Sequence, residues 1–410
     1  MKTSIPLFCC IIFTPLVMAQ APEGVISYED TAFNEYFMHT GKIPEVKGKI
    51  LHLKENKEIN IRYSLVVPFH NYHVRKTTTV QPDGSFELQL DYPFPYQQIW
   101  IHAGNFFFGG VYVNEGLFIE LDAKKLKKRR DKGAEFQGKD GALNTYFYKY
   151  QQFDAQKKYQ LSRELRKLLN RNLKMRDFTF DVFKSAYDSL FDKYRAYDNA
   201  FIRENPSAYS WIIRNERMSD YYSCLCLKHF KAPMDKELWE EICNHKGYFM
   251  SNKGMSFYNY LLNYVTNIAR AGMPFDWNRL LHHPEMDEEK QIMIDSLNYF
   301  QQKKDKQQPY DRISYLIHLQ KVYRAFADTL TPLLTKHTAT LLDSLFPPAR
   351  ADFLKLKLGS KDYNECLEKY KTSLESISTP WCNALLKPEY DKVRQKLDSL
   401  NDILKLSGKI

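Results

Sequence analysis

The side chains that could carry a reaction are few and scattered: seven cysteines, two close histidine pairs and one short carboxylate run. No Cys-x-x-Cys occurs. Cys224-x-Cys226 lies in the apolar run YYSCLCLKHF. On a helix, a spacing of two turns those thiols about 200° apart, so they read as core thiols rather than a shared metal or disulfide site. His70-x-x-His73 and His282-His283 lack the flanking carboxylates of a zinc site and read as surface or loop histidines. Asp287, Glu288 and Glu289 fall at an expected helix start, where they favour the positive end of the dipole. Phe108-Gly109-Gly110 opens into a strand, not the helix a phosphate loop needs, and no Gly-x-Ser-x-Gly elbow or dinucleotide fingerprint appears. Exposed aromatics could stack on sugar rings, but aromatic stripes at helical spacing are usually core. No catalytic residue, cofactor-binding residue or metal ligand is assigned, and no cofactor is expected.

One charged stretch stands out. Lys124 to Lys132 (KKLKKRRDK) carries seven basic residues in nine. Lys124, Lys125, Lys127, Lys128, Arg129 and Arg130 could meet an anionic surface. The alternative is a solvated segment joining two domains. Nucleic acid is not expected as a partner, because the chain reads as exported.

That reading rests on the first 19 residues. Lys2 supplies a positive start, Ile5 to Met18 an apolar middle, and Val17-Met18-Ala19 a small-residue cleavage site before Gln20. Cys9 and Cys10 sit inside the apolar run, not after small residues as lipid attachment requires. The net charge of +10 becomes +9 once Lys2 is removed. Cys224, Cys226, Cys243, Cys366 and Cys382 remain. Five is odd and the spacing irregular, so buried free thiols are expected, with Cys366 to Cys382 the one bridge considered. No later run is apolar enough to span a bilayer.

The elements that must position these residues change character partway along. In Val80 to Asp91, Gln81-Pro82-Asp83-Gly84 has turn chemistry. Phe86, Leu88 and Leu90 then alternate with polar residues, and Arg75 to Val80 suits a hairpin partner. Lys47 to Leu53, Asn60 to Leu65, Gln97 to His102 and Gly110 to Asp122 also alternate, and Asn114-Glu115-Gly116 has hairpin-turn chemistry. Strands without intervening helices predict an antiparallel β-sandwich. From about Ala142 the period becomes helical. Leu161, Leu165, Leu168 and Leu169 form one stripe, and Phe180, Phe183, Tyr187, Leu190, Phe191 and Tyr194 another. Asn205-Pro206-Ser207 marks a boundary. Further helices are expected over Glu237 to Phe249, Ser256 to Arg270, Asp287 to Gln301, Asp311 to Ala327, Pro332 to Leu345, Asp362 to Ile377 and Pro388 to Leu404. The fold class is therefore α+β. A leader covers 1–19, a lead-in 20–45, a β-sandwich 46–123, a basic, Gly-containing linker 124–141, and an irregular helical domain 142–410.

Asp83 to Leu88, Val111 to Gly116 with Ile119 to Asp122, Phe136-Gln137-Gly138 and Leu143-Asn144 come in an order that resembles a known family. It is the amino-terminal region of the TlpA-like envelope thiol-disulfide oxidoreductases of Bacteroidetes. Those chains begin with a DUF4369-like β-sandwich, continue through a helical segment, and usually end in a thioredoxin domain. The resemblance covers roughly residues 40 to 150 by motif. It implies an envelope location, but the redox domain and its Cys-x-x-Cys have no counterpart here. Trp381-Cys382 lacks the second thiol and a preceding strand. Three readings follow. One is a non-catalytic binding or positioning module with an envelope protein or extracytoplasmic ligand as partner. Another is a thiol-exchange participant using single thiols or a separate thioredoxin partner. The third is a glycan or peptide binder using the aromatic-rich helical region.

Overall fold

The computed structural model describes residues 42–53, 59–68, 73–94, 96–129, 132–170, 179–229, 234–245, 250–303, 309–359, 371 and 374–406. The leader, Cys366, His70 and Arg130 lie outside the described residues. The chain is α+β, as the change of period predicts. Eight strands come first: β1 (Glu45–Leu51), β2 (Asn60–Val66), β3 (His73–Thr79), β4 (Ser85–Leu88), β5 (Gln97–Ala103), β6 (Phe107–Val113), β7 (Gly116–Asp122) and β8 (Ala134–Gln137). They form two four-stranded sheets, ordered β4-β1-β7-β8 and β3-β2-β5-β6. Alternation decides the faces: Val46 and Ile50, Ile61 and Leu65, Ile99 and Ile101, and Ile119 and Leu121 all turn into one shared core. Every pairing is antiparallel except β1 with β7, which run parallel.

The expected hairpins are corners instead. The turn at Gln81 closes as its residues suggest, with Gln81 N–H donating to the Ser85 carbonyl at 2.8 Å and Gly84 at φ +86°. A Cβ at Gly84 would lie 2.3 Å from the Ile50 carbonyl oxygen, so only glycine fits. Yet β3 pairs with β2 and β4 with β1, so the turn hands the chain from one sheet to the other. The reason lies in the faces. Phe86 needs the bare backbone of Gly48, where a Cβ would meet its ring at 2.3 Å, whereas β3 has no fully buried side chain and suits a sheet edge. Asn114-Glu115-Gly116 likewise joins β6 to β7 across sheets. Its three N–H groups all donate to one oxygen of Asp140, at 2.9, 2.9 and 2.8 Å.

The segment expected as a linker is part of the sandwich. Its basic run forms a short helix, α1 (Ala123–Lys128), started by Asp122, whose carboxylate accepts from Lys124 N–H and Lys125 N–H at 3.0 Å each. Ala123 and Leu126 are buried against the sheet, and β8 then adds to its edge beside β7.

Helices follow: α2 (Gly141–Gln152), α3 (Ala155–Asn170), α4 (Phe180–Glu204), α5 (Ser210–Lys228), α6 (Lys236–Asn244), α7 (Asn252–Gly272), a 3-10 turn (Trp277–His282), α8 (Glu288–Lys303), α9 (Pro309–Ala325), α10 (Ala327–Leu345), α11 (Pro348–Gly359) and α12 (Pro380–Leu406). The stripes expected on α3 and α4 are core: Leu161, Leu168, Phe183, Tyr187, Leu190, Phe191 and Tyr194 are buried. Asn205 caps α4, its N–H donating to the Phe201 carbonyl. No helix among the described residues is long and apolar enough to cross a membrane.

The helices dock on the outer face of the second sheet. Gln98 on β5 donates its N–H to the Met250 carbonyl at 2.8 Å and accepts from Asn252 N–H at 2.9 Å, which fixes the start of α7. Its amide nitrogen reaches the Tyr112 hydroxyl at 3.2 Å. Beside them, half-buried Glu216 on α5 accepts a hydrogen bond from the Ser251 hydroxyl. Desolvation raises its carboxyl pKa to about 7, against the pull of that bond and of Lys253.

Candidate ligand-binding surfaces

The thiols come first among the sequence candidates, and the fold makes them inert. Cys224 and Cys226 on α5, Cys243 on α6 and Cys382 on α12 are buried and free. Burial pushes the Cys224 thiol up to about 11 and Cys243 to about 12, and raises Cys226 and Cys382 as well. A thiol in that state is not a nucleophile near neutral pH. Cys366, the bridge partner considered for Cys382, lies outside the described residues, and Cys382 is a buried free thiol in the first turn of α12. Among the described residues no group of three or more His, Cys, Asp or Glu could hold a metal ion. His73 lies on edge strand β3, and His283 accepts from Glu285 N–H at 3.2 Å within its own turn. Asp287 caps α8, accepting from Lys290 N–H at 2.8 Å. On α1, Lys124, Lys125, Lys127 and Lys128 point outward, with Arg129 exposed just beyond.

A better-built surface is one that spacing alone does not reveal. Across β2, β5 and β6 the register puts Arg62, His102 and Phe108 in one row, and Ser64, Trp100 and Gly110 in the next. The Trp100 indole lies over Gly110, where an added Cβ would make only ordinary contact with the ring at 3.5 Å. Phe108 stacks on Trp100 with centroids 5.5 Å apart and planes at 24°, yet remains 72% exposed. An Arg62 guanidinium nitrogen lies 2.7 Å from His102 Nδ1. A guanidinium only donates, so Nδ1 is the acceptor and the His102 proton sits on Nε2. On β3 the matching positions are Thr77 and Arg75, so neither row carries a carboxylate. Helix α2 flanks this face: Gln151 donates to the Gly110 carbonyl at 3.3 Å, and Tyr148 helps enclose a cleft of about 210 Å³ beside Phe108 and His102. The surface is a flat aromatic platform rimmed by hydrogen-bond donors and positive charge.

The aromatic stripes of the helical region, by contrast, are consumed in packing. Tyr187 and Tyr221 stack at 5.4 Å, and Tyr150, Phe153, Tyr197 and Phe201 form a further cluster. A polar hollow of about 280 Å³ does open between α5, α7 and α9. Tyr260, Asn263, Asn267 and Arg270 line it from one face of α7, at spacings of three to four. That stripe is present in the sequence, but polar residues at helical spacing read as a solvated face unless the packing partners are known. Comparison with protein-family models, curated proteins and solved structures finds no match to this chain.

Proposed function

We propose that this chain is a non-catalytic binding module of the cell envelope, and that its ligand is a glycan laid along the Trp100–Phe108 platform. One observation carries the reading: Phe108 is a large apolar side chain left 72% exposed, held flat against Trp100 and beside Arg62 and His102. A pyranose ring has one apolar C–H face and a polar rim. The stacked rings suit the first, while the Arg62 guanidinium and the His102 Nε2–H suit the second. The absence of carboxylates from these rows favours neutral or acidic sugars over cationic ligands. The envelope location rests on the leader-like first 19 residues and on the resemblance of the strand motifs. Four buried thiols with raised pKa values weigh against thiol exchange as the activity.

An oligosaccharide array probed with the purified chain, followed by calorimetry on the hits, tests this. Phe108→Ala is expected to weaken binding by about 0.5–1.5 kcal/mol, the scale of one aromatic stacking contact, with unchanged thermal stability. The Trp100→Ala/Phe108→Ala double variant should bind nothing. An array with no hits, or a double variant that binds as tightly as the parent, ends the proposal.

A further inference from the structure

The hollow lined by α7 has a charge problem that a ligand would solve. Arg270 is half-buried, and desolvation lowers its pKa. Its Nη1 donates to Asn267 Oδ1 at 2.7 Å, and its guanidinium lies 5.2 Å from the Tyr323 ring centroid. Its Nε–H is buried with no hydrogen-bond acceptor. Among the described residues no carboxylate forms an ion pair with it; Tyr323 offsets part of the desolvation, and the cation Arg324 adds to it. A desolvated cation beside a like charge, with an orphaned donor, is unfavourable unless something anionic joins it.

The walls say what kind of anion. Asn263, Asn267 and Gln320 carry side-chain amides, which both donate and accept. Cys226 and Leu227 from α5 supply an apolar floor, and exposed Gln320 on α9 stands at the rim. One guanidinium fork matches one carboxylate in charge and geometry, while the amides match hydroxyl or amino groups on the rest of the ligand. About 280 Å³ falls just below the roughly 300–1,000 Å³ of drug-sized sites, which suits a ligand smaller than those. We infer that the hollow between α5, α7 and α9 binds a small polar carboxylate, a sugar acid or an amino acid, with its carboxylate on Arg270. This site is separate from the sheet platform and does not depend on it.

Calorimetry and thermal-shift titration of the full chain test it with five probes: D-galacturonate, L-glutamate, acetate, neutral D-galactose and inorganic phosphate. Saturable binding of galacturonate or glutamate is expected, with acetate at least tenfold weaker and galactose inactive. Whichever of the first two binds tighter identifies the source of the carboxylate. Arg270→Gln should lose at least tenfold in affinity while its ligand-free melting temperature stays equal or rises, because an unpaired charge has been removed. Arg270→Lys keeps the charge without the fork and should fall between. Gln320→Ala, at the exposed rim, should weaken binding of the larger acids alone. The inference fails if neither acid saturates, if galactose or phosphate binds as tightly as the acids, or if Arg270→Gln keeps the parent affinity. Should Arg270→Gln not fold, Arg270→Lys and Gln320→Ala with parent affinity would overturn it equally.

Discussion

Asn144 pairs with Tyr112 as a neighbouring strand residue would. Tyr112 N–H donates to Asn144 Oδ1 at 2.8 Å, and Asn144 Nδ2 returns a bond to the Tyr112 carbonyl at 2.8 Å. A second bond from Nδ2 reaches the Asp140 carbonyl, also at 2.8 Å, and the Asp140 carboxylate holds the three N–H groups of the β6–β7 corner. One turn of helix thus closes the free edge of β6 and fixes the crossing between sheets.

That clamp predicts a stability effect. Asn144→Ala leaves a buried N–H and a buried carbonyl at Tyr112 unpaired, which should cost about 2–4 kcal/mol in chemical denaturation. Asp140→Ala, with three N–H groups released, should cost at least as much. Losses under about 0.5 kcal/mol in both would show that the corner holds without them.

The thiols predict a labelling result. In a Cys366→Ser chain starting at Gln20, a neutral-pH disulfide reagent should modify none of Cys224, Cys226, Cys243 or Cys382 until denaturant is added. Stoichiometric labelling of the folded protein within minutes would contradict their burial and raised pKa values.

Glu216 predicts a pH dependence. Its carboxyl titrates near its ordinary value of 4.5 in the unfolded chain and near 7 in the folded one. Between these the folded state holds the extra proton, so stability falls as pH rises through that window and is flat above it. The groups around the carboxyl are Ser251, Lys253, Asp220, Arg217 and Tyr112. At about 1.4 kcal/mol per unit the loss is at most roughly 3.5 kcal/mol. Glu216→Gln should flatten the difference between denaturation midpoints at pH 5 and pH 8. An unchanged difference would assign it to other groups.

An ion pair on α4 and α5 predicts an asymmetry. Arg217 Nε donates to Asp198 Oδ2 at 2.8 Å, and the Tyr150 hydroxyl donates to Asp198 Oδ1 at 2.6 Å. Asp198→Asn leaves Arg217 only its longer pair with Asp220 at 3.8 Å and should cost about 3 kcal/mol, while Asp198→Leu with Arg217→Met should recover much of that loss. Equal losses in the two variants would remove the ionic explanation.

The elements of this fold were legible where burial is one-sided. Period two placed β1, β2, β5 and β7, and the Phe183–Tyr194 stripe placed α4. Pairing was not legible, because the turn at Gln81 has the same residues whether it closes a hairpin or passes between sheets; Phe86 meeting Gly48 decides it. Helix α11 was missed because it is buried on all sides and still carries Arg350, Asp352, Lys355 and Lys357. Asp352 and Lys355 pair with each other at 3.1 Å, and the other partners lie far off in sequence: Arg350 Nη1 donates to the Cys243 carbonyl, Asp352 accepts from Thr379 N–H at 2.6 Å, Lys355 donates to the Ser376 carbonyl at 2.7 Å and Lys357 to the Pro68 carbonyl at 3.2 Å. A local window shows the Asp352–Lys355 pair but none of those distant partners. The aromatic platform needed the β5–β6 register to bring Trp100 and Phe108 together, and Arg270 needed its missing counter-charge.

The bond from Asn252 to Gln98 spans 154 positions of sequence, and the one from Lys357 to Pro68 spans 289. A ribosome therefore releases the strands long before the segments that cover them exist. Until those segments arrive, Gln98 and Tyr112 face water and the Pro68 carbonyl waits for its donor. Such late closure makes the strand-rich front a poor candidate for expression as an isolated fragment, and an early customer for whatever holdase meets the nascent chain.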